Sequence, residues 1–225
     1  MNTLATANAG MGIMPIDRVA WASEVHLSMF CNAHAQLRDV RKHFPDARSI
    51  LIIGPGQGLE NAVFQWKGYA TTTLDVDDTF APDVLASCHD LSMFSDAAFD
   101  VVIASHVLEH LPIAYLDTAI AEIARVGSGA LIYLPVAGRH STVRIIPGIR
   151  EYDWSLIMDF ANRFRKPSDT QALFCGGQHY WEIGYKGFSL KNVRNRISQS
   201  FRIVTGYRNR DWIESYNFVV VPALT

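Results

Sequence analysis

No stretch of this 225-residue sequence approaches the roughly 20 consecutive apolar residues that a helix needs to cross a bilayer. Cysteine is scarce. Cys31, Cys88 and Cys175 are odd in number and far apart, which excludes a disulfide framework or a zinc knuckle and suits reduced thiols in a cytoplasmic protein. Neither sign of charge dominates: 20 Lys and Arg face 22 Asp and Glu, for a net charge of −2. Bulk electrostatic capture of nucleic acid is therefore not expected. No Lys or Arg precedes Arg18, so no secretory signal is expected. With 49% hydrophobic and 19% charged residues, the composition is that of a globular chain able to bury one sizeable core.

The stretch from Ser49 to Glu60 organises the rest. Ile50-Leu51-Ile52-Ile53 reads as a strand buried on both faces, as in a parallel sheet. Gly54, Gly56 and Gly58 follow at alternate positions. They give the backbone conformational freedom and let a ligand approach bare main chain ahead of a helix N-terminus. Thr71 to Asp75 reads as a second strand ending in an acid, 17 positions after Gly58. That is near the roughly 20-residue spacing of a carboxylate that grips ribose hydroxyls. A dinucleotide fingerprint would put Gly or Ala where Leu59 stands, and no G-x-x-x-x-G-K-[ST] phosphate loop occurs.

Further along come His89-Asp90-Leu91, read as a third strand end, and Phe99 to Ser105, a clear fourth strand that runs into His106-Val107-Leu108-Glu109-His110-Leu111-Pro112. In this order, over roughly residues 48 to 135, the series resembles class I S-adenosylmethionine (SAM)-dependent methyltransferases, in particular the small-molecule branch with an LEHL segment. The resemblance implies a Rossmann-like α/β fold: a seven-stranded, mostly parallel sheet with a C-terminal antiparallel hairpin and helices on both faces. It also implies SAM as cofactor and S-adenosylhomocysteine as product. Gly54, Gly56, Gly58, Asp75, Val76, Asp90, Leu91, Ser105 and His106 would bind the cofactor. Among them Asp75 would take the ribose, Val76 an adenine face, Asp90 the exocyclic amine, and Leu91 would offer its backbone or pack the ring.

Around this core, residues 1–47 read as a leader followed by a helix from Asp17 to about His43, packing on or lidding the domain, and 48–225 as the domain itself. Helices are expected at 59–66 and after Pro112, with a fifth strand at 130–135. Residues 136–187 lose clean periodicity and form a substrate-side insertion, with a short helix at Tyr152–Phe160 and an ordered loop at Gly176–Gly184. Ser189 caps a last helix, and Phe201–Thr205 and Tyr216–Val221 are the two hairpin strands.

SAM carries its own electrophile, so a methyltransferase chiefly aligns nucleophile, methyl carbon and sulfur, and needs a base only where the acceptor must lose a proton. His179 with Glu182, and His106, are the candidate catalytic residues. His106, Glu109 and His110 spell H-x-x-E-H. Some RNA-end and quinone-pathway methyltransferases bind a divalent metal through a similar E-x-x-E-H, with His140 or His179 as available fourth ligands here. His106 replaces the first glutamate, and no metal is assigned. Arg139, Arg144, Arg150, Arg163, Arg165 and Lys166 in the insertion would suit an anionic acceptor. The expected partner is thus a small molecule methylated at O or N, with no DNA and no membrane. An RNA-end methyltransferase, a non-catalytic SAM-binding subunit and an NAD-type oxidoreductase stay open as alternatives.

Overall fold

A computed structural model describes residues 24–145, 154–160, 166–167 and 178–223 of the chain. Its centre is a seven-stranded sheet. In chain order the strands and helices are α1 (Leu27–His43), β1 (Ser49–Ile53), α2 (Leu59–Trp66), β2 (Ala70–Asp75), β3 (Val84–Leu85), β4 (Val101–Ser105), α3 (Ile113–Val126) and β5 (Ala130–Pro135). There follow β6 (Arg139–Ile145), β7 (Trp154–Phe160), α4 (Leu190–Ile197), β8 (Phe201–Arg208) and β9 (Ser215–Pro222). The sheet order is β3-β2-β1-β4-β5-β9-β8. Strands β1 to β5 run parallel, and β9 enters antiparallel between β5 and β8. This is the architecture expected from the sequence.

The core explains the central strands. Val101 to Ala104 are all but inaccessible, as are Ile50 and Leu51, because both faces of the sheet are covered. Leu51 and Ile53 point toward Leu116, Ile120 and Ile123 of α3 and toward Val193 and Ile197 of α4. Ile50 and Ile52 point toward Ala35 and Val40 of α1 and Phe64 of α2. Each such side chain contributes about 1.5–3 kcal/mol on burial. Asp100 ties the entry of β1 to that of β4 by accepting the backbone N–H groups of Arg48 and Ser49 at 2.7 and 2.9 Å.

Three local expectations differ from the structure. The first helix begins at Leu27, with His26 extended at its N-cap, so residues 24–26 are not helical, and Asp17 lies outside the described residues. Its buried face also carries Asn32, Gln36 and Asp39, and Val25 just before it is 74% exposed. The third parallel strand is Val84–Leu85, and His89-Asp90-Leu91 lies in the turns after it. Trp154–Phe160, read as part of a helix, is β7, paired antiparallel with β6 as a separate two-stranded sheet. A short apolar run without periodicity fits either element, and here a cross-strand partner decides. The described part of the ordered loop expected at Gly176–Gly184, from Gln178 on, is a loop held by burial: Tyr180, Trp181 and Ile183 are 1–3% exposed and join the α3/α4 core.

Candidate active site

The carboxyl ends of β1, β2 and β4 meet at one rim, where open α/β sheets bind their ligands. The β1 turn is shaped by positive φ at Gly54, Gly56 and Gly58 (65°, 52° and 81°). A Cβ at Gly54 would lie 2.6 Å from Val107 Cγ2, whereas one at Gly58 would meet nothing within 4 Å. Gly58 caps α2.

Beside this turn is a small cavity of about 70 Å³ lined by Ile53, Gly54, Leu74, Asp75, Val76, Ala86, Ser87, Cys88, Val107, His110 and Leu111. Asp75 Oδ1 accepts the Asp77 backbone N–H at 3.0 Å. Burial pushes the Cys88 thiol up to about 12, so it is a packing group and not a nucleophile.

The structure thus brings Gly54, Asp75 and Val76 together. Asp90 is exposed, outside the cavity lining, and its carboxylate accepts the Ser92 backbone N–H at 3.2 Å. Leu91 is fully buried, and both its backbone groups are engaged: its N–H by Glu122 at 2.8 Å and its carbonyl by Arg125 at 2.9 Å. Ser105 exchanges hydrogen bonds with Asn32, whose amide also donates to Glu60 at 3.1 Å. Asn32 thereby joins α1, α2 and β4 directly behind the glycine turn.

His106 follows β4 in the left-handed region, with φ 55°. Its ring stacks on Trp212 at 4.2 Å between centroids. Nε2 lies 3.0 Å from Ser215 Oγ, and Ser215 donates to Asn217 Oδ1 at 2.7 Å, so Nε2 carries the proton. Asn217 then donates to the Tyr207 hydroxyl, which donates to Asp39, and Asp39 also accepts from Tyr133. A continuous polar chain therefore runs from His106 to the buried side of α1. Trp212 borders an open cleft of about 550 Å³ that is also lined by Leu27, Cys31 and Arg210 to Glu214.

Behind His106, Glu109 is completely buried, and neither carboxylate oxygen has a hydrogen-bond partner among the described residues. His106 Nδ1 is 3.5 Å from Glu109 Oε1, a charge contact too long for a good hydrogen bond. Burial pushes the Glu109 carboxyl up, but His106, His110 and His179 around it outweigh that and hold it below its usual value. Burial lowers His110. His110 and His179 meet edge to face at 4.8 Å between centroids.

The loop carrying His179 and Glu182 is tied to this turn by Tyr180 N–H to Glu109 O at 2.8 Å and Trp181 Nε1 to Leu108 O at 3.2 Å. His179 pairs with Glu182 at 2.8 Å but is only 8% exposed. The two therefore sit beside His110 and not on the open cleft. His140 is engaged with the Val136 carbonyl and Arg208. Arg139 and Lys166 are exposed, the Arg144 side chain is not described, and Arg150, Arg163 and Arg165 lie outside the described residues, as does Cys175.

Sequence reasoning missed Asn32, Tyr207, Trp212, Ser215 and Asn217. The available signal was the alternation of Ser215 and Asn217 on a strand that is otherwise apolar.

Residues 51–132 match the family model described as a methyltransferase domain. No curated protein matches the sequence. Among solved structures the chain is similar to a protein from Pyrococcus horikoshii OT3, at 13% identity over 90% of this chain and 93% of that one, with a TM-score of 0.57. It is also similar to 1,6-didemethyltoxoflavin-N1-methyltransferase from Burkholderia thailandensis, solved with 1,6-didemethyltoxoflavin and S-adenosylhomocysteine, at 14% identity over 100% and 92%, with a TM-score of 0.56. A third is the glycopeptide N-methyltransferase MtfA, solved with S-adenosylhomocysteine, at 14% identity over 86% and 89%, with a TM-score of 0.56. Among the described residues no helix is long and apolar enough to cross a membrane. Residues 51–132 are thus similar to a methyltransferase domain, and the chain shares its fold with SAM-dependent methyltransferases of known structure.

Proposed function

We propose that this protein transfers the methyl group of SAM to a nitrogen or oxygen of a small-molecule acceptor. The observation that carries the reading is the convergence of Gly54, Asp75 and Val76 on one cavity whose far wall, Val107 and His110, belongs to the same turn as His106. Asp75 would take the ribose hydroxyls, the glycine turn the methionine portion, and Val76 with Ala86 to Cys88 the adenine. The sulfonium would then face His106 and, across its stack with Trp212, the open cleft where an acceptor enters.

Transfer is an in-line displacement. The bond from the acceptor atom to the methyl carbon forms as the bond from sulfur breaks, and a neutral thioether leaves. An amine attacks as its free base, so positioning suffices. A hydroxyl must shed a proton, and with His106 Nε2 donating to Ser215 the nitrogen left for that task is Nδ1, which faces Glu109. His179 and Glu182, off the open cleft, would support the His110 wall from behind. Two of the similar structures are N-methyltransferases, one solved with 1,6-didemethyltoxoflavin and one described as a glycopeptide N-methyltransferase, which favours a small-molecule or peptidic acceptor over nucleic acid.

Calorimetric titration of SAM and S-adenosylhomocysteine into wild type and Asp75→Ala tests this. Both ligands should bind wild type, and the loss of the carboxylate should weaken binding by about 1–3 kcal/mol. Folded wild type that binds neither ligand would sink the reading. A screen of amine- and hydroxyl-bearing acceptors then separates nitrogen from oxygen.

A further inference from the structure

We propose that the cleft beside His106 is a slot for a planar aromatic or heteroaromatic acceptor, and that Trp212 is the side chain that selects it. The ligand's role as acceptor rests on the methyl-transfer reading, whereas the slot does not. The cleft measures about 550 Å³, within the roughly 300–1,000 Å³ of small-molecule sites. Its lining comes from Leu27 and Cys31 of α1 and from Arg210 to Glu214, in the loop that joins β8 to β9.

Trp212 is fixed by its own loop. Asn209 is 2% exposed, and its Oδ1 accepts the backbone N–H groups of Asp211 and Trp212 at 3.0 and 3.3 Å. The Asn209 N–H donates to the Ser215 carbonyl at 2.9 Å, and the Ser215 N–H to the Trp212 carbonyl at 3.0 Å. Arg208 Nε donates to the Ile213 carbonyl. The indole lies on the His106 ring at 4.2 Å between centroids and 27° between planes, and His106 is itself tied to Ser215. Yet Trp212 stays partly exposed on the cleft, unlike Trp181, which is 1% exposed in the core. A flat ring held in place before a ligand arrives costs little ordering entropy on binding, so it is a ready stacking partner.

The rest of the lining narrows the ligand chemistry. Leu27, Cys31 and Ile213 add apolar surface. Arg210, Asp211 and Glu214 are exposed and of mixed sign, so a single ligand charge is not what the cleft selects. An aliphatic ligand would gain from buried area alone. An aromatic pair adds roughly 2- to 12-fold in affinity beyond that area. Through Trp212 the slot adjoins His106, which follows β4 at the cofactor rim.

The test is titration of 2-naphthol, and of its ring-saturated counterpart decahydro-2-naphthol, into full-length protein with and without S-adenosylhomocysteine, read by ligand-observed NMR. The probes share one hydroxyl and one carbon skeleton, and the saturated one is the more apolar, so burial alone would favour it. Wild type should bind 2-naphthol saturably and about fivefold more tightly than decahydro-2-naphthol, mid-range for one stacked pair. Trp212→Leu should abolish that preference, and Trp212→Phe, which keeps an aromatic face, should retain it. Circular dichroism verifies folding, and the wild-type ratio carries the test if Trp212→Leu does not fold. Folded wild type that binds neither probe saturably would overturn the slot. So would equal affinities for the two probes, a preference that survives Trp212→Leu, or one lost equally in the Leu and Phe variants. S-adenosylhomocysteine titrated alone reports on the methyl-transfer reading separately: its failure to bind sinks that reading and leaves the slot to the probe ratio, while its binding with equal probe affinities sinks the slot alone.

Discussion

On the Gly54 side of the rim the wall is largely main chain. Positive φ angles at three glycines shape it, and the Gly54 N–H donates to the Leu74 carbonyl at 2.8 Å. On the His110 side the wall is built from side chains brought in from distant parts of the sequence. His106 meets Ser215 across 109 residues, His110 meets Gln178 across 68, and Trp181 meets Leu108 across 73. The first wall needs only short-range turn chemistry. The second exists once the segment after β5 has folded back onto the 108–110 turn. A binding surface can therefore be nearly complete before the acceptor side is in place, and the two sides should respond differently to mutation.

The largest effect is expected at Trp181. It is 1% exposed, stacks on Phe188 at 4.7 Å and donates to Leu108 O. Trp181→Ala should cost about 3–5 kcal/mol in urea denaturation, through lost burial and the cavity left behind. Because this indole holds the His179 loop to the Glu109 turn, affinity for any acceptor should fall further than affinity for S-adenosylhomocysteine. Equal losses for both ligands would show that the two walls are one cooperative unit.

The glycine wall is broken more locally. Ala at position 54 would hold a Cβ at φ 65° and press it to 2.6 Å from Val107 Cγ2. Gly54→Ala should cost about 1–3 kcal/mol of stability. It should also weaken S-adenosylhomocysteine about tenfold, the equivalent of 1.4 kcal/mol, because Val107 lines the cavity. Adding Val107→Ala removes the clash but not the backbone strain, so the double variant should recover part of the loss. Full recovery would mean that φ at Gly54 is not under strain.

The same contrast accounts for what was legible in the sequence. Strand β1, the glycine turn, α2 and Asp75 lie within one continuous stretch, and each carries its own local cue of apolar run, glycine spacing or terminal acid. The buried polar face of α1 had no such cue. Asn32 and Asp39 look like solvent-facing residues until Ser105, Tyr133 and Tyr207 arrive to satisfy them. Trp154–Phe160 became a strand only because Arg139–Ile145 pairs with it. His179 and Glu182 were identified as a pair, but their burial depends on Tyr180 and Trp181 entering the α3/α4 core, which periodicity does not register.

The smallest expected effect separates resemblance from geometry at the adenine end. By family pattern Asp90 would hold the exocyclic amine. Here it is exposed in the turn after β3, its carboxylate held below the usual range by the Ser92 hydrogen bond, and the cavity wall at that end is Ala86, Ser87 and Cys88. The reason is local. With β3 placed at Val84–Leu85, the residues that emerge from it toward the cavity are the three immediately following, and Asp90 comes one turn too late. Asp90→Ala should therefore leave S-adenosylhomocysteine affinity within about twofold of wild type, as surface substitutions away from a site do. A Ser87→Leu substitution, which pushes a branched side chain into the cavity wall, should weaken it clearly. If the order is reversed, with Asp90 mattering and Ser87 not, then the turn from Ser87 to Leu91 must rearrange when the cofactor binds, and the adenine wall would belong with the side-chain-built half of the rim instead of the main-chain half.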